Sequence, residues 1–322
     1  MDSGPEYISD KYLESEEVAE YEAGRPLSFF ENLKNNEKKL RYELAMLNHI
    51  SMTDEHEEAL IPHEKGTTSH LNRYCDILPY KSTAVILDTA GHDGENSYIN
   101  ANYIPGCLGE KDSFIACQGP KSNTVKDFWR MVRQENIGAI LMLCKVYEDG
   151  RPKCEEYWPE KDQSLVFDEI DLKVQCDDEK TEGEALYHRD FSLIDTQNDE
   201  VISKIKQIHY TGWPDHGVPK KQGLDDFQTL VENSYSQYKT ASENNSKVLI
   251  HCSAGIGRTG TLLSILNIVA DIEKKKEQEE EISNISVFSV VRKLREHRFH
   301  LVQSESQYIF IYQFLAKYLK NL

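Results

Sequence analysis

Short uninterrupted apolar runs alternate with longer helical repeats along this chain. The stretches "IGAILMLC" (137–144) and "KVLI" (247–250) have the length and apolar character of central strands buried on both faces. A third strand is predicted over "ISKIKQIHY" (202–210), where apolar and polar positions alternate with interruptions. Phe29, Leu33, Leu40, Leu44 and Leu47 repeat roughly at helical spacing, and Ser28 with Glu31 offers a capping box where that helix opens the folded unit. Further on, Leu262, Leu263, Ile265, Leu266, Ile268, Val269 and Ile272 cover most of a helix surface, which predicts burial on several sides. The "EKKKEQEEE" that follows (273–281) reads as a solvated helix end and loop. Strand and helix patterns mix without an internal repeat or a Pro- or Ser-rich linker. The economical reading is a single α/β domain over residues 28–322, preceded by an acidic N-terminal extension over 1–27.

That extension holds eight acidic side chains before residue 24 and no clear apolar periodicity, so it is expected to be mobile or loosely docked. The formal net charge of -18 argues against non-specific attraction to nucleic acid or anionic lipid. Any anion site must therefore be local, built from backbone amides, a helix dipole and a few placed cations. The 7 Cys are scattered, matching neither a disulfide framework nor a zinc spacing, which is simplest for a reduced protein without a metal. The N-terminus is acidic from its second residue, unlike a signal or transit peptide, and there is no apolar run long enough to span a membrane. A cytoplasmic location and a monomeric state are expected.

One stretch asks for more than burial. In "VLIHCSAGIGRTGTLL" (248–263) a strand ends at His251, a loop begins with Cys252, and an apolar helix starts near Arg258. Such a loop turns the backbone N–H groups of Ser253, Ala254, Gly255, Ile256 and Gly257 inward, and the helix N-terminus adds partial positive charge. Glycines let the backbone approach an anion, and Arg258 can fork two donors onto phosphate oxygens. A cysteine at the bottom of that field is placed to act as a nucleophile, with the Thr259 hydroxyl placed to donate to it. A buried structural cysteine beside a tight turn is the alternative.

"HCSAGIGRTG" matches without departure the signature of the cysteine-dependent protein tyrosine phosphatases, which is His-Cys, five residues, Arg, then Ser or Thr. The resemblance extends through "NRYCDILPY" (72–80), "YINANYI" (98–104), "FIACQGP" (114–120), "DFWRMV" (127–132), "KCEEYWP" (153–159), "HYTGWPDHGVP" (209–219) and "LVQSESQYIFIY" (301–312). The chain is similar to the tyrosine-specific branch. The resemblance implies a highly twisted mixed central sheet flanked by helices on both faces, and hydrolysis of phosphotyrosine in proteins without metal or organic cofactor.

It also implies roles. Cys252 would be the nucleophile, Arg258 the phosphate clamp and Asp215 the general acid and base on a movable loop anchored by Trp213. Gln303 would position the attacking water, assisted by Gln307. Tyr74 would stack on the substrate ring, and Asp76 would accept substrate backbone N–H groups. Glu148 would pair with Arg258, and Lys153 would touch the acid loop. Leu71, Lys81 and Ala84 depart from residues the family usually carries at the positions that shape the loop bearing Tyr74. A catalytically silent phosphotyrosine-binding module would typically lack one of Cys252, Asp215 or Tyr74, and a phosphoinositide phosphatase would want cations between Cys252 and Arg258. Neither pattern is present.

Overall fold

The structure is a computed structural model that describes residues 16–51, 68–89, 96–106, 112–214, 217–220 and 223–321. Its centre is one sheet of 9 strands: β1 (Ala84–Ile86), β2 (Tyr98–Ile104), β3 (Phe114–Cys117), β4 (Ile137–Met142), β5 (Ser164–Phe167), β6 (Leu172–Glu182), β7 (Leu186–Asp195), β8 (Glu200–Tyr210) and β9 (Lys247–His251). Their order across the sheet is β1-β2-β3-β9-β4-β8-β7-β6-β5. The middle four, β3, β9, β4 and β8, run parallel, and the outer pairings are antiparallel. The three predicted strands are thus β4, β9 and β8, side by side where both faces are covered. Ile140, Leu141, Met142, Val248, Leu249 and Ile250 are all fully buried, each such side chain worth about 1.5–3 kcal/mol of transfer free energy.

Helices flank the sheet: α1 (Glu16–Ala23), α2 (Leu27–Glu31), α3 (Leu33–Ser51), α4 (Val125–Gln134), α5 (Leu224–Glu243), α6 (Gly257–Glu277), α7 (Val287–His297) and α8 (Glu305–Lys320). α6 is buried without interruption from its first residue to Ala270, as its all-round apolar pattern requires, and its charged end is largely exposed. Among the described residues no helix is long and apolar enough to cross a membrane.

Three features differ from the sequence reading. The acidic extension is docked from residue 16 onward: Val18 and Tyr21 are buried, and residues 25–26 pair with 284–285. Two apolar positions three apart on a short helix, followed by a buried Arg25, suffice to seat it, and they were hidden among the acids. The expected Ser28 cap is also not used, because α2 begins two residues earlier, with Pro26 rather than Ser28 at its N-cap and no side-chain cap bond. Finally, the long hairpin β6–β7 went unpredicted, because its distal half, around "DDEKTEGE", is mostly exposed and carries no apolar alternation.

Candidate active site

β9 pairs on both sides with parallel strands, so that His251 lies opposite Cys117 and Met142. The loop after it therefore emerges where parallel strands end, the position at which open α/β sheets present ligand crevices. Gly255 takes φ +72, which turns its N–H toward Cys252 Sγ at 3.3 Å. Cys252 is 5% exposed, at the floor of a cup closed by the N-terminus of α6.

Arg258 points back across this cup. Its two terminal nitrogens reach Glu148 Oε1 and Oε2 at 2.5 and 2.6 Å, and one also donates to the Leu143 carbonyl at 3.1 Å. Burial opposes the guanidinium charge, but the carboxylate bound to both prongs outweighs it and raises the Arg258 pKa above its ordinary value. Glu148 in turn accepts Lys145 N–H at 3.0 Å, so the fork is held from behind.

Beneath the cup runs a relay of buried polar groups. His251 Nδ1 lies 3.1 Å from the Cys252 carbonyl, which can only accept, so the proton is on Nδ1 and Nε2 accepts the Tyr157 hydroxyl at 2.9 Å. Gln207 donates to that hydroxyl at 2.8 Å, and Arg189 donates to Gln207 at 2.8 Å. Burial holds the His251 imidazole neutral, with its pKa pulled down to about 3, and does the same to His209, at about 4. The unfolded chain, with ordinary histidines, takes up protons first as pH falls through 6.5, so stability is lost on acidification from there toward these depressed values. The slope is up to about 1.4 kcal/mol per pH unit for each histidine. Urea midpoints should fall between pH ~7 and pH ~5, less steeply in His209→Asn; equal midpoints across that range would refute the coupling.

Tyr74 stands at the rim, half-buried, with its hydroxyl 2.9 Å from Ser253 Oγ. Ser253 Oγ also donates to the Lys153 carbonyl at 2.8 Å, which ties the loop to half-buried Lys153 by its backbone. Beside Tyr74, Arg73 donates to the carbonyls of Gly119 and Pro120 at 3.0 and 2.5 Å, which fixes the rim against the segment after β3. Asp76 is exposed on the same rim.

Gln303 and Gln307 meet over the loop. A Cβ built on Gly257 would lie 2.9 Å from Gln307 Nε2 and 3.3 Å from Gln303 Oε1, so both amides face the start of α6. Gln307 Oε1 accepts the N–H groups of Gln303 and Ser304 at 3.1 and 3.2 Å, which completes a capping box with Ser304. Just before them Val302 sits at φ 63, unusual for a β-branched residue, held by its N–H to the Ile256 carbonyl at 3.1 Å. Trp213 is buried and donates to the Gly217 carbonyl at 2.9 Å, which ties together the described residues on either side of 215–216. Asp215 itself lies outside the described residues. Thr259 corrects one expectation: its hydroxyl is fully buried and makes no hydrogen bond, to Cys252 or to any other group among the described residues.

The sequence reading missed two arginines. Arg298 is fully buried with neutral acceptors around it: the carbonyls of Gly255 and Ala254 at 2.9 and 3.1 Å, and the side chains of Asn102 and Asn100, both at 2.8 Å. Arg295 does the same for the next segment, donating to the Leu301 and Val302 carbonyls at 2.8 and 2.9 Å. Burial lowers the pKa of each to about 10, far enough above neutrality that both stay charged. The only available signal was their place in "VRKLREHRFHLVQ", where basic side chains recur on a half-buried helix.

The profile of the protein-tyrosine phosphatase family matches residues 68–317. The human receptor-type tyrosine-protein phosphatase eta is 43% identical over 243 residues, which is 75% of this chain and 17% of the relative. Tyrosine-protein phosphatase 3 of Dictyostelium discoideum is 33% identical, over 91% of this chain and 31% of its own. The chain thus spans between about a sixth and a third of the length of these curated relatives. Among solved structures, the catalytic domain of human protein tyrosine phosphatase non-receptor type 18 superposes with a TM-score of 0.77 at 31% identity, covering 91% of this chain and 99% of that one. The same phosphatase in complex with HER2 phosphopeptides gives 0.77 at 30% identity, over 90% and 98%. The match over residues 68–317, together with this breadth of similarity, shows that the chain belongs to the protein-tyrosine phosphatase family.

Proposed function

We propose that this protein hydrolyses phosphotyrosine in proteins through a phosphocysteine. Cys252 Sγ attacks phosphorus, the S–P bond forms as the P–O bond to the tyrosine ring breaks, and Asp215 gives its proton to the departing phenolate. Arg258 and the amides of residues 253–257 hold the equatorial oxygens. Water positioned by Gln303, with Gln307 assisting, then attacks the phosphocysteine; Asp215 takes the water proton, and phosphate leaves as the thiolate returns. The observation that carries this reading is the two-pronged Glu148–Arg258 contact beside Cys252, because a fork already oriented by a carboxylate is suited to a tetrahedral dianion. Tyr74, raised above the cup on Ser253, supports a preference for phosphotyrosine, since a phosphoserine would leave its phosphate short of the floor. HER2 phosphopeptides bound to a structurally similar phosphatase are consistent with protein substrates. The reading includes a monomer acting in the cytoplasm, without affinity for nucleic acid.

Turnover of a phosphotyrosine peptide and its phosphoserine counterpart, with EDTA present, tests it. The parent should release phosphate from the first alone. Cys252→Ser should release none, and Asp215→Ala should bind while kcat falls by about 10²–10⁴-fold. Tight binding by the parent without turnover would instead make this a recognition module.

A further inference from the structure

The docked N-terminal segment reaches the water-handling end of the site through one buried carboxylate. Glu43, on α3, is fully buried, and each of its oxygens takes two donors. Oε1 accepts Arg25 Nε and Nη2 at 3.0 and 2.6 Å; Oε2 accepts the hydroxyls of Tyr308 and Tyr312 at 2.9 and 2.7 Å. Both tyrosines lie on α8 and are themselves buried. Tyr308 follows Gln307 directly, and Gln307 fixes the backbone of Gln303 and Ser304. The Arg25 guanidinium is seated on the rings of Tyr21 and Phe29, at 4.9 and 5.2 Å, and its remaining nitrogen reaches Glu20 at 2.7 Å.

We propose that Arg25 is a positioning residue for the second chemical step: with Glu43 it sets the first turn of α8, and so the glutamines that orient water against the phosphocysteine. The proposal rests on the reading of Gln303 and Gln307 given above. Arg25 neutralises a carboxylate that is shut off from bulk solvent. Without it Glu43 must draw in solvent or protonate, and the tyrosines that register α8 lose their fixed acceptor. The helix need not unfold to matter, because a shift of about 1 Å at a positioned group can cost up to 10²-fold. Phosphorylation of Cys252 depends instead on the loop, Arg258 and the acid loop, whereas among the described residues Arg25 bonds Glu43 and Glu20 and lies on the rings of Tyr21 and Phe29. The two steps should therefore respond differently.

Stopped-flow release of p-nitrophenol from p-nitrophenyl phosphate separates them in the full chain, with the burst reporting phosphocysteine formation and the steady phase its hydrolysis. Arg25→Ala and Tyr308→Phe should each slow hydrolysis about fivefold or more and leave formation within about twofold, with Arg25→Lys recovering part of the loss. Glu22→Ala breaks the separate contact of the N-terminal segment with Arg292 and should change neither step. Tyr308→Phe leaves that segment docked, so it decides the matter if Arg25→Ala does not fold. Equal slowing of both steps, or unchanged hydrolysis in Tyr308→Phe, overturns the proposal. Gln303→Ala checks the underlying reading independently: if it hydrolyses the phosphocysteine as fast as the parent, the role of Gln303 is wrong whatever Arg25 does.

Discussion

Arg258→Lys is expected to lower kcat/KM for a phosphotyrosine peptide by about 10³-fold, near 4 kcal/mol of transition-state stabilisation. The substitution keeps the positive charge, and the charge is not the point. Both prongs of Arg258 are spoken for by Glu148, at 2.5 and 2.6 Å, and that contact holds the guanidinium plane across the mouth of the loop. An ammonium is a point donor on a flexible stem and cannot meet two carboxylate oxygens and two phosphoryl oxygens in one plane. It would also leave one oxygen of Glu148 short of a partner at 5% side-chain exposure, a burial cost the site must then relieve with water. Steady-state kinetics across substrate concentration reads the outcome. A loss under about tenfold would mean that the loop amides alone carry the phosphoryl oxygens.

Gly255→Ala is the second large effect, and its origin is steric. A Cβ at position 255 would lie 2.0 Å from the Cys117 carbonyl oxygen and 2.5 Å from its carbon, both backbone atoms of a central strand, at a φ of +72 that side chains rarely adopt. Neither strand nor loop can yield cheaply, so the loop must open. Opening it removes the N–H directed at Cys252 Sγ and the carbonyl that receives Arg298. Activity should fall by about 10² or more, with about 2–4 kcal/mol lost from stability. Gly150→Ala is the matched comparison: φ is +71, but nothing lies within 4 Å, so it should cost only about 1–2 kcal/mol of backbone conformational energy and leave turnover intact. Urea unfolding beside peptide turnover distinguishes the two. Equal behaviour would show that the close approach to Cys117 is not what constrains the loop.

How far the sequence could be read depended on the distance over which each feature is decided. The strand, glycine loop and helix of 248–263 are specified by neighbours in sequence, and the middle of the sheet by uninterrupted apolar runs, so both were legible. Glu148, Gln303 and Gln307 were reached by resemblance, and the structure places them against the loop. Arg298 sits in a basic stretch and Asn102 in "YINANYI", but no local pattern pairs them; the contact is recognisable only once the chain has folded one against the other. The seat of Arg25 on Glu43 is of the same kind, a contact between the short extended pair 25–26 and α3, neither of which carries a pattern that points to the other. Thr259 failed for another reason. Its position at the helix start fitted a bond to Cys252, but the direction of a hydroxyl is set by packing around α6 that spacing alone does not describe.

The neutral cradle around Arg298 has a consequence for how the protein comes to life on the ribosome. The loop carbonyls of Ala254 and Gly255 are bound to a residue made more than forty positions later, which is itself held by asparagines 196 and 198 positions earlier. Contacts of such long range close late. A nascent chain that has already exposed its cysteine motif therefore lacks the scaffold that shapes it. The loop therefore takes its final shape only when the last of these partners has been translated and gathered in.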